Sequence, residues 1–126
     1  MKKYLIYTLK EKYLSKKKYL TKNEFRLDLN PAHWGKEKKP HPAYISARYG
    51  HKYKANSITH AKYTTDGYKT HDIYENPNKL SRNKKPNRIS PPYWQNEKQF
   101  SDYKMTNYKF SNKTRKLIKS INKKYK

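Results

Sequence analysis

The sequence predicts a mostly β (α+β) fold, a small curved sheet or barrel with basic helices flanking it at the N- and C-terminal ends. Two observations carry this prediction. Four or five short segments alternate apolar and polar residues between turn signals, a pattern typical of strands. Near both ends of the chain, apolar residues recur at the spacing of one helix face. Because strands this short are joined by turns, a strongly curved sheet or a small barrel is favoured.

Residues 1–22 are predicted to form a basic amphipathic helix. Apolar residues share one face of this helix, and lysines occupy the remaining arc. The apolar face consists of Ile6, Leu9, Tyr13 and Leu20. Such a helix either packs on the fold and exposes its lysines to solvent, or lies on the phosphates of a polyanion. The residues alone leave both interpretations open.

Residues 23–42 are predicted to be a linker or long loop, because the stretch is rich in residues that interrupt regular structure. These residues are Asn30-Pro31, Gly35, Pro40 and Pro42. Before them, Phe25, Leu27 and Leu29 alternate with charged residues. This alternation is compatible with a short edge strand.

Residues 43–110 are predicted to form the small β domain. Two strands, 43–49 and 52–60, are separated by Gly50-His51, which has the length of a tight hairpin turn with a positive φ at Gly. Another short strand is predicted at 70–74. A last one begins at Arg88 and ends where prolines interrupt it.

Residues 111–126 are predicted to form a C-terminal basic helix and tail. Ser111 has the chemistry of an N-cap, and Leu117, Ile118 and Ile121 follow at helical spacing. From Tyr103 onward the chain contains no acidic residue.

Positive charge dominates the composition: 32 Lys and Arg residues stand against 9 Asp and Glu, a formal net charge of +23. A charge this large destabilises a compact fold unless a polyanion neutralises it. Nucleic acid is the favoured partner, RNA before DNA, with acidic protein surfaces and anionic membranes as alternatives. Only 5 of these 32 residues are Arg, which favours contacts to phosphates over the reading of bases.

Several classes of site are excluded or disfavoured by composition. The chain has no Cys, which excludes disulfides and thiolate metal sites. The histidines lack metal-ligand spacing and there is no Gly-rich phosphate loop, so we expect no metal and no cofactor. No apolar run approaches the ~20 residues of a membrane span, and Lys10 and Glu11 interrupt the signal-peptide-like start. The predicted location is the cytoplasm or a virion.

The candidate nucleic-acid contacts are basic residues of the predicted strands and loops, with one tyrosine suited to stacking on a base. They are Arg48, Lys52, Lys54, Arg82, Lys84, Lys85, Arg88 and Tyr53. A tyrosine in a chain so poor in aliphatic residues can equally belong to the core.

Metal-free chemistry with Thr, His, Tyr and Lys is the remaining catalytic option. Cleavage of RNA requires a base for the 2′-hydroxyl, an acid for the leaving oxygen and a cation for the phosphorane charge. Thr59, His60 and Lys62 lie together at the end of one predicted strand. His41 opens the preceding strand and comes close if the two strands pair antiparallel. The alternative is that these are ordinary strand and surface residues.

Part of the β domain resembles a known group of small toxins. The matching stretches are Lys39-Pro40-His41-Pro42-Ala43-Tyr44-Ile45-Ser46, Gly50-His51-Lys52-Tyr53-Lys54-Ala55 and Ile58-Thr59-His60-Ala61-Lys62. In these stretches a basic residue and Pro open an apolar strand, a turn follows, and a second strand ends in Ile/Leu-Thr-Ser/Ala. This pattern is similar to the core of the PemK/MazF toxin superfamily, including the ToxN-like toxins of type III toxin–antitoxin systems. With Asn76-Pro77-Asn78, the chain also resembles small proteins of Firmicutes plasmids and phages. The resemblance covers roughly residues 37–80.

The resemblance implies an SH3-like small barrel with peripheral helices and metal-independent endoribonuclease activity. By position, Thr59 matches the active-site Thr of the family, and Lys62 matches the Lys that follows it in ToxN-like members. His41 stands where many members have Arg, and His60 stands where Ser or Ala is usual. The resemblance also implies an acidic protein or an RNA antitoxin as a partner.

The sequence therefore predicts a highly basic protein that binds nucleic acid, RNA in preference, through its phosphates. Under the resemblance, metal-independent RNA cleavage is the associated activity. Two alternatives stay open: a non-enzymatic structural or regulatory protein of a phage or ribonucleoprotein, and an inhibitor that docks on an acidic host protein.

Overall fold

A computed structural model describes residues 19–81 and 86–125, and in this part of the chain a six-stranded antiparallel sheet carries one α-helix. The strands are β1 (Tyr19–Asp28), β2 (His41–Tyr49), β3 (Lys52–Thr59), β4 (His71–Asp72), β5 (Arg88–Ile89) and β6 (Tyr93–Asn96), and the helix is α1 (Asn112–Lys123). The strand order is β1-β2-β3-β5-β4, and β6 also pairs with β3. The open, mostly β sheet confirms the predicted fold class at that level.

β1 begins earlier than the sequence predicts. Residues 19–22, which the periodicity assigns to the end of a helix, pair with the end of β2, where Tyr19 lies opposite Tyr49. The sheet partner overrides the local helical spacing, because cross-strand contacts outweigh a weak local propensity. Residues 23–28 belong to the same strand, which lies at the edge of the sheet, so the edge strand suggested by the alternation at Phe25 and Leu27 is present. His41 and Pro42, the last residues of the predicted linker, are the first residues of β2. The rest of the predicted helix, residues 1–18, lies outside the described residues.

β2 and β3 form the predicted hairpin. Tyr49 pairs with Lys52 across a turn in which Gly50 has a φ of +58°, so the tight turn is confirmed. The other edge of β3 has two partners in succession, first β6 and then β5. β5 begins at Arg88 and ends before Pro91-Pro92, as predicted, because these prolines lack the amide hydrogens of a continuous ladder. β6 follows the prolines as a separate strand.

The outer edge of β1 is covered by the segment that follows β6. After a 3-10 turn at Glu97–Gln99, the Leu29 N–H donates to Gln99 O at 2.8 Å, and the Ser101 N–H donates to Leu27 O at 2.9 Å. Covering an edge in this way prevents it from pairing with another chain.

Buried side chains form a core on each face of the sheet. The core beneath α1 consists of Phe25, Tyr44, Ile58, Ile73, Ile89, Phe110, Ile118 and Ile121. The other consists of Ala43, Ile45, Tyr53, Ala55 and Phe100. Consecutive residues of β2 alternate between the two cores, because neighbouring side chains of a strand point to opposite faces.

α1 has the N-cap that the sequence predicts. The Ser111 Oγ accepts from the Thr114 N–H at 3.2 Å, and Ile118 and Ile121 pack into the core. In the described part of the chain, helices lack the length and the apolar character that crossing a membrane requires.

Candidate functional site

A groove runs between α1 and strands β1 to β3, and its lining is strongly cationic. We call it the basic groove, and its volume is about 640 Å³. The cations that line it are Lys22, Lys54, Arg115, Lys116, Lys119 and Lys123. None of the described residues in the lining is Asp or Glu. A cleft lined by charges of one sign concentrates the field and attracts a polyanion.

The spacing of the α1 cations explains where the groove lies. Lys116, Lys119 and Lys123 are three and four residues apart, so they follow one side of the helix. Ile118 and Ile121 pack into the core and thereby fix the rotation of α1. The cationic side is consequently held over the sheet, where Lys54 of β3 completes the lining.

Arg115 brings an unpaired donor to the basic groove. Its Nε is buried and has no hydrogen-bond partner among the described residues. An unsatisfied buried donor costs about 1–3 kcal/mol. Burial raises the pKa of the neighbouring Tyr44 hydroxyl, and the positive charge of Arg115 partly opposes this rise.

A second concave surface lies at the C-terminal end of β3. We call it the aromatic cavity, and its volume is about 470 Å³. Its walls include Tyr63, Tyr68, Tyr93, Tyr125 and the Pro91-Pro92 pair. Polar groups come from His33, His41, Ser57, Thr59 and Asp66. Among the described residues that line it there is no Lys and no Arg.

A buried carboxylate organises one wall of the aromatic cavity. Asp28 ends β1 and is only 1% exposed. Its Oδ2 accepts from His33 Nδ1 at 2.7 Å and from the Tyr93 hydroxyl at 2.6 Å. Its Oδ1 accepts from Gln95 Nε2 at 2.8 Å and from the Asn30 N–H at 2.9 Å. Asn30 caps the 3-10 turn that returns His33 to the carboxylate.

Hydrogen bonding sets the protonation of this cluster. Burial raises the pKa of Asp28, but hydrogen bonds from His33, Tyr93 and Gln95 bring the net pKa below its usual value. The hydrogen bond to Asp28 raises the pKa of His33 against the opposing effect of burial. Burial is the largest cause that raises the pKa of Tyr93, so its hydroxyl stays a donor. With Nδ1 held by the carboxylate, Nε2 is the ring nitrogen of His33 left for a ligand.

The structure brings only two of the four predicted catalytic residues together. Thr59 and His41 both line the aromatic cavity. His41 Nε2 accepts from the Gly35 N–H at 3.2 Å, so this nitrogen already has a partner within the protein. His60 and Lys62 are exposed, and neither is part of the cavity lining.

Three of the predicted nucleic-acid contacts are engaged within the protein. Arg48 pairs with Glu97 at 3.1 Å. Arg88 donates through Nε and through Nη2 to Thr70, each at 2.7 Å. Tyr53 is 6% exposed and belongs to the core. The structure thus places Tyr53 away from the surface on which base stacking was predicted.

The other predicted contacts divide between surface, groove and the undescribed part of the chain. Lys54 lines the basic groove, and Lys52 is exposed beside the β2–β3 turn. Arg82, Lys84 and Lys85 lie outside the described residues.

Sequence reasoning missed the Asp28–His33 pair and the role of Arg115. The Asn30-Pro31 turn directly after β1 was a local signal that the chain folds back on the end of that strand. The partners Tyr93 and Gln95 come from β6, far along the chain, and no local spacing reveals them. The basic character of the C-terminal helix, by contrast, was predicted from the sequence.

No protein-family model matches the chain, and no curated protein or solved structure is detectably similar to it. Within residues 19–81 and 86–125, no group of three or more His, Asp or Glu side chains is placed to hold a metal ion. The chemistry of the basic groove and the aromatic cavity is therefore the basis for a functional assignment.

Proposed function

We propose that this protein binds single-stranded nucleic acid, RNA in preference to DNA, by holding phosphates in the basic groove. One observation carries the proposal: among the described residues, cations line the groove and carboxylates do not. Phosphates bound there release condensed counterions, which supplies most of the affinity of such an interface. Because lysine predominates and acts as a point charge, the contacts are to the backbone and not to the base edges.

Uncharged side chains beside the cations favour RNA. Thr21, Asn23, Ser46 and Asn112 also line the groove, and hydroxyl and amide groups are partners for the ribose 2′-hydroxyl. Tyr19, which also lines the groove, is 47% exposed. Its ring offers a surface on which a base of a single strand can stack.

The test neutralises two exposed groove lysines together in Lys116→Gln/Lys119→Gln. We expect binding of labelled single-stranded RNA, followed by fluorescence anisotropy, to weaken about 5- to 30-fold at moderate salt, since two phosphate contacts are lost. The matched control, Lys104→Gln/Lys113→Gln, removes the same charge at exposed positions outside the groove lining. Equal weakening in both double variants would show that net charge, and not the groove, governs binding.

Metal-independent RNA cleavage is a second candidate function, favoured by the Asp28–His33 pair. An imidazole held by a carboxylate is suited to act as a general base or acid, and the Thr59 hydroxyl shares the aromatic cavity. The lining supplies no Lys or Arg among the described residues for the phosphorane charge, so the geometry supports binding better than cleavage. The assay is a denaturing gel of RNA in EDTA. Intact RNA refutes cleavage, whereas cleavage lost in both His33→Gln and Thr59→Ala with unchanged binding supports it.

An SH3-like curved sheet is our proposal for the finer fold. It is supported by the 3-10 turn at Glu97–Gln99, after which the chain returns to the outer edge of β1. Location in the cytoplasm or in a virion likewise remains a proposal, based on composition.

Two alternative functions give different results in the same experiments. A structural or regulatory protein of a phage or ribonucleoprotein binds RNA without cutting it. An inhibitor of an acidic host protein retains a stoichiometric protein partner after nuclease treatment.

A further inference from the structure

The walls of the aromatic cavity are fixed by hydrogen bonds within the protein. The Tyr93 hydroxyl is held by the carboxylate at the end of β1, and the Tyr125 hydroxyl contacts His71 Nε2. The loop that carries the other two tyrosines is tied to the 3-10 turn after β1, because Thr65 Oγ1 donates to Ala32 O at 3.1 Å. The cavity is therefore formed before a ligand binds, which is usual for small-molecule sites.

The charge of the aromatic cavity sets it apart from the rest of the molecule. Lys and Arg make up 32 of the 126 residues, yet the described residues of the cavity lining include neither, and Asp66 adds a carboxylate. A phosphate placed here meets no Lys or Arg from that lining. The cavity consequently suits an uncharged ligand, in contrast to the basic groove.

The tyrosines and the polar groups of the cavity suit a flat heteroaromatic ring. Tyr63 and Tyr68 are 61% and 63% exposed, and their rings are available for stacking. Ser57 Oγ contacts the Tyr93 hydroxyl at 3.2 Å and Thr59 Oγ1 accepts from the Ala61 N–H at 3.0 Å. The Ser57 oxygen can therefore still accept and the Thr59 hydroxyl can still donate, and His33 Nε2 adds a further polar atom at the wall. Nucleobases are uncharged planar rings whose edges mix donors and acceptors in this way. The volume of about 470 Å³ is in the range of small-molecule sites.

We infer that the aromatic cavity binds a nucleobase, namely one base of the strand whose phosphates lie in the basic groove. This inference rests on the proposed function. Each surface includes a residue from the C-terminal end of α1 or just after it, since Lys123 lines the groove and Tyr125 lines the cavity. The Cα atoms of these residues are less than about 8 Å apart. A base next to a phosphate held at Lys123 is therefore within reach of the cavity.

The experiment titrates the full-length, ¹⁵N-labelled protein with adenosine, guanosine, cytidine and uridine, and with ribose 5-phosphate as the probe that lacks a base. We expect a nucleoside to shift the amide signals of Thr59, Ala61 and Tyr63, and ribose 5-phosphate to leave them unchanged. Nucleoside binding is insensitive to salt, because the ligand is uncharged.

Three variants locate the binding. Tyr68→Ala removes one stacking ring, and we expect nucleoside affinity to fall at least roughly fivefold. Ala61→Trp places a large side chain at the cavity wall and blocks binding without deleting a contact. Tyr103→Ala is the matched control, because Tyr103 is 60% exposed and is not in the cavity lining. Its nucleoside affinity stays that of the wild type.

The outcomes separate the inference from the proposed function. If RNA binds through the groove while no nucleoside shifts the cavity signals, the base site is refuted and the proposed function stands. Shifts confined to groove residues, or equal losses in Tyr68→Ala and Tyr103→Ala, also overturn the base site. If nucleosides bind in the cavity but RNA does not bind at all, the inference that the ligand is a base of a nucleic-acid strand is refuted. The cavity is then a site for a free nucleoside.

Discussion

Replacement of the buried carboxylate in Asp28→Asn tests how the aromatic cavity is held together. The substitution keeps the size and shape of the side chain and removes its charge. Oδ1 still accepts from Asn30 and Gln95, but an NH₂ group replaces the oxygen that faces His33 and Tyr93. Both partners then have to change their proton positions to find an acceptor.

The expected cost follows from the bonds that change. Hydrogen bonds to a charged group contribute about 1.5–3 kcal/mol each, and two of the four are lost at a site that is 1% exposed. Because the hydroxyl and the imidazole can partly reorient, we expect a loss of about 2–4 kcal/mol in the free energy of unfolding. For a domain of this size, that loss lowers the melting temperature by roughly 8–16 °C.

The pKa shifts of Asp28 and His33 predict how the cost of Asp28→Asn changes with pH. The pKa of Asp28 is lowered from 3.8, so its contribution is present above that pH and is lost as the pH falls through the folded-state pKa. The pKa of His33 is raised from 6.5, so its contribution is complete below that pH and is lost as the pH rises through the folded-state pKa. The difference between wild type and Asp28→Asn is therefore largest between about pH 4 and 6.5.

Urea unfolding followed by circular dichroism from pH 3 to pH 8 measures this difference. The control is Glu97→Gln, which breaks ion pairs with Arg48 and His51 at the surface and costs at most about 1 kcal/mol. A cost for Asp28→Asn no larger than that of the control would refute the reasoning. A difference that stays flat across the pH range would do the same.

Three further substitutions probe the fold. The Glu75 carboxylate accepts from the Ser111 N–H and hydroxyl and from the Thr114 hydroxyl at the start of α1. We expect Glu75→Ala to lower the free energy of unfolding by about 1–2 kcal/mol and to speed amide exchange in the first turn of α1. Unchanged exchange would contradict this. Gly50 has a φ of +58°, and a Cβ added there meets no atom within 4 Å, so only backbone strain opposes a side chain. We expect Gly50→Ala to cost about 1–2 kcal/mol in thermal unfolding. A neutral result would argue against backbone strain. Phe110→Ala empties part of the core beneath α1 and costs about 3–5 kcal/mol in chemical unfolding, and a loss below 1 kcal/mol would mean that this ring is not packed as described.

Features with a local chemical cause could be read from the sequence. The β2–β3 hairpin follows from Gly50 between two alternating segments, and the start of α1 follows from Ser111 before an amphipathic run. In both cases the residues that decide the structure lie within a few positions of one another. The basic character of α1 was predicted in the same way, because its lysines lie within the residues whose spacing predicts the helix.

Features that depend on partners far along the chain could not be predicted from the sequence. Residues 19–22 have helical spacing but form a strand, because β2 supplies the ladder. Tyr53 looks like a stacking residue among lysines but is buried against Phe100. The Asp28 cluster requires β6 to lie beside the end of β1, a contact that no periodicity encodes. Burial and long-range hydrogen bonds thus decide which polar residues form the site.

The salt dependence of RNA binding tests the central claim most directly. For single strands, the slope of log K against log salt is about −0.7 per phosphate neutralised. Lys22 pairs with Glu24 at 3.8 Å, so the five other groove cations predict a slope of about −3.5. In Lys116→Gln/Lys119→Gln the slope becomes shallower by about 1.4, whereas Lys104→Gln/Lys113→Gln keeps the wild-type slope. A wild-type slope near zero, or a slope that the groove substitutions leave unchanged, would contradict phosphate binding in the basic groove.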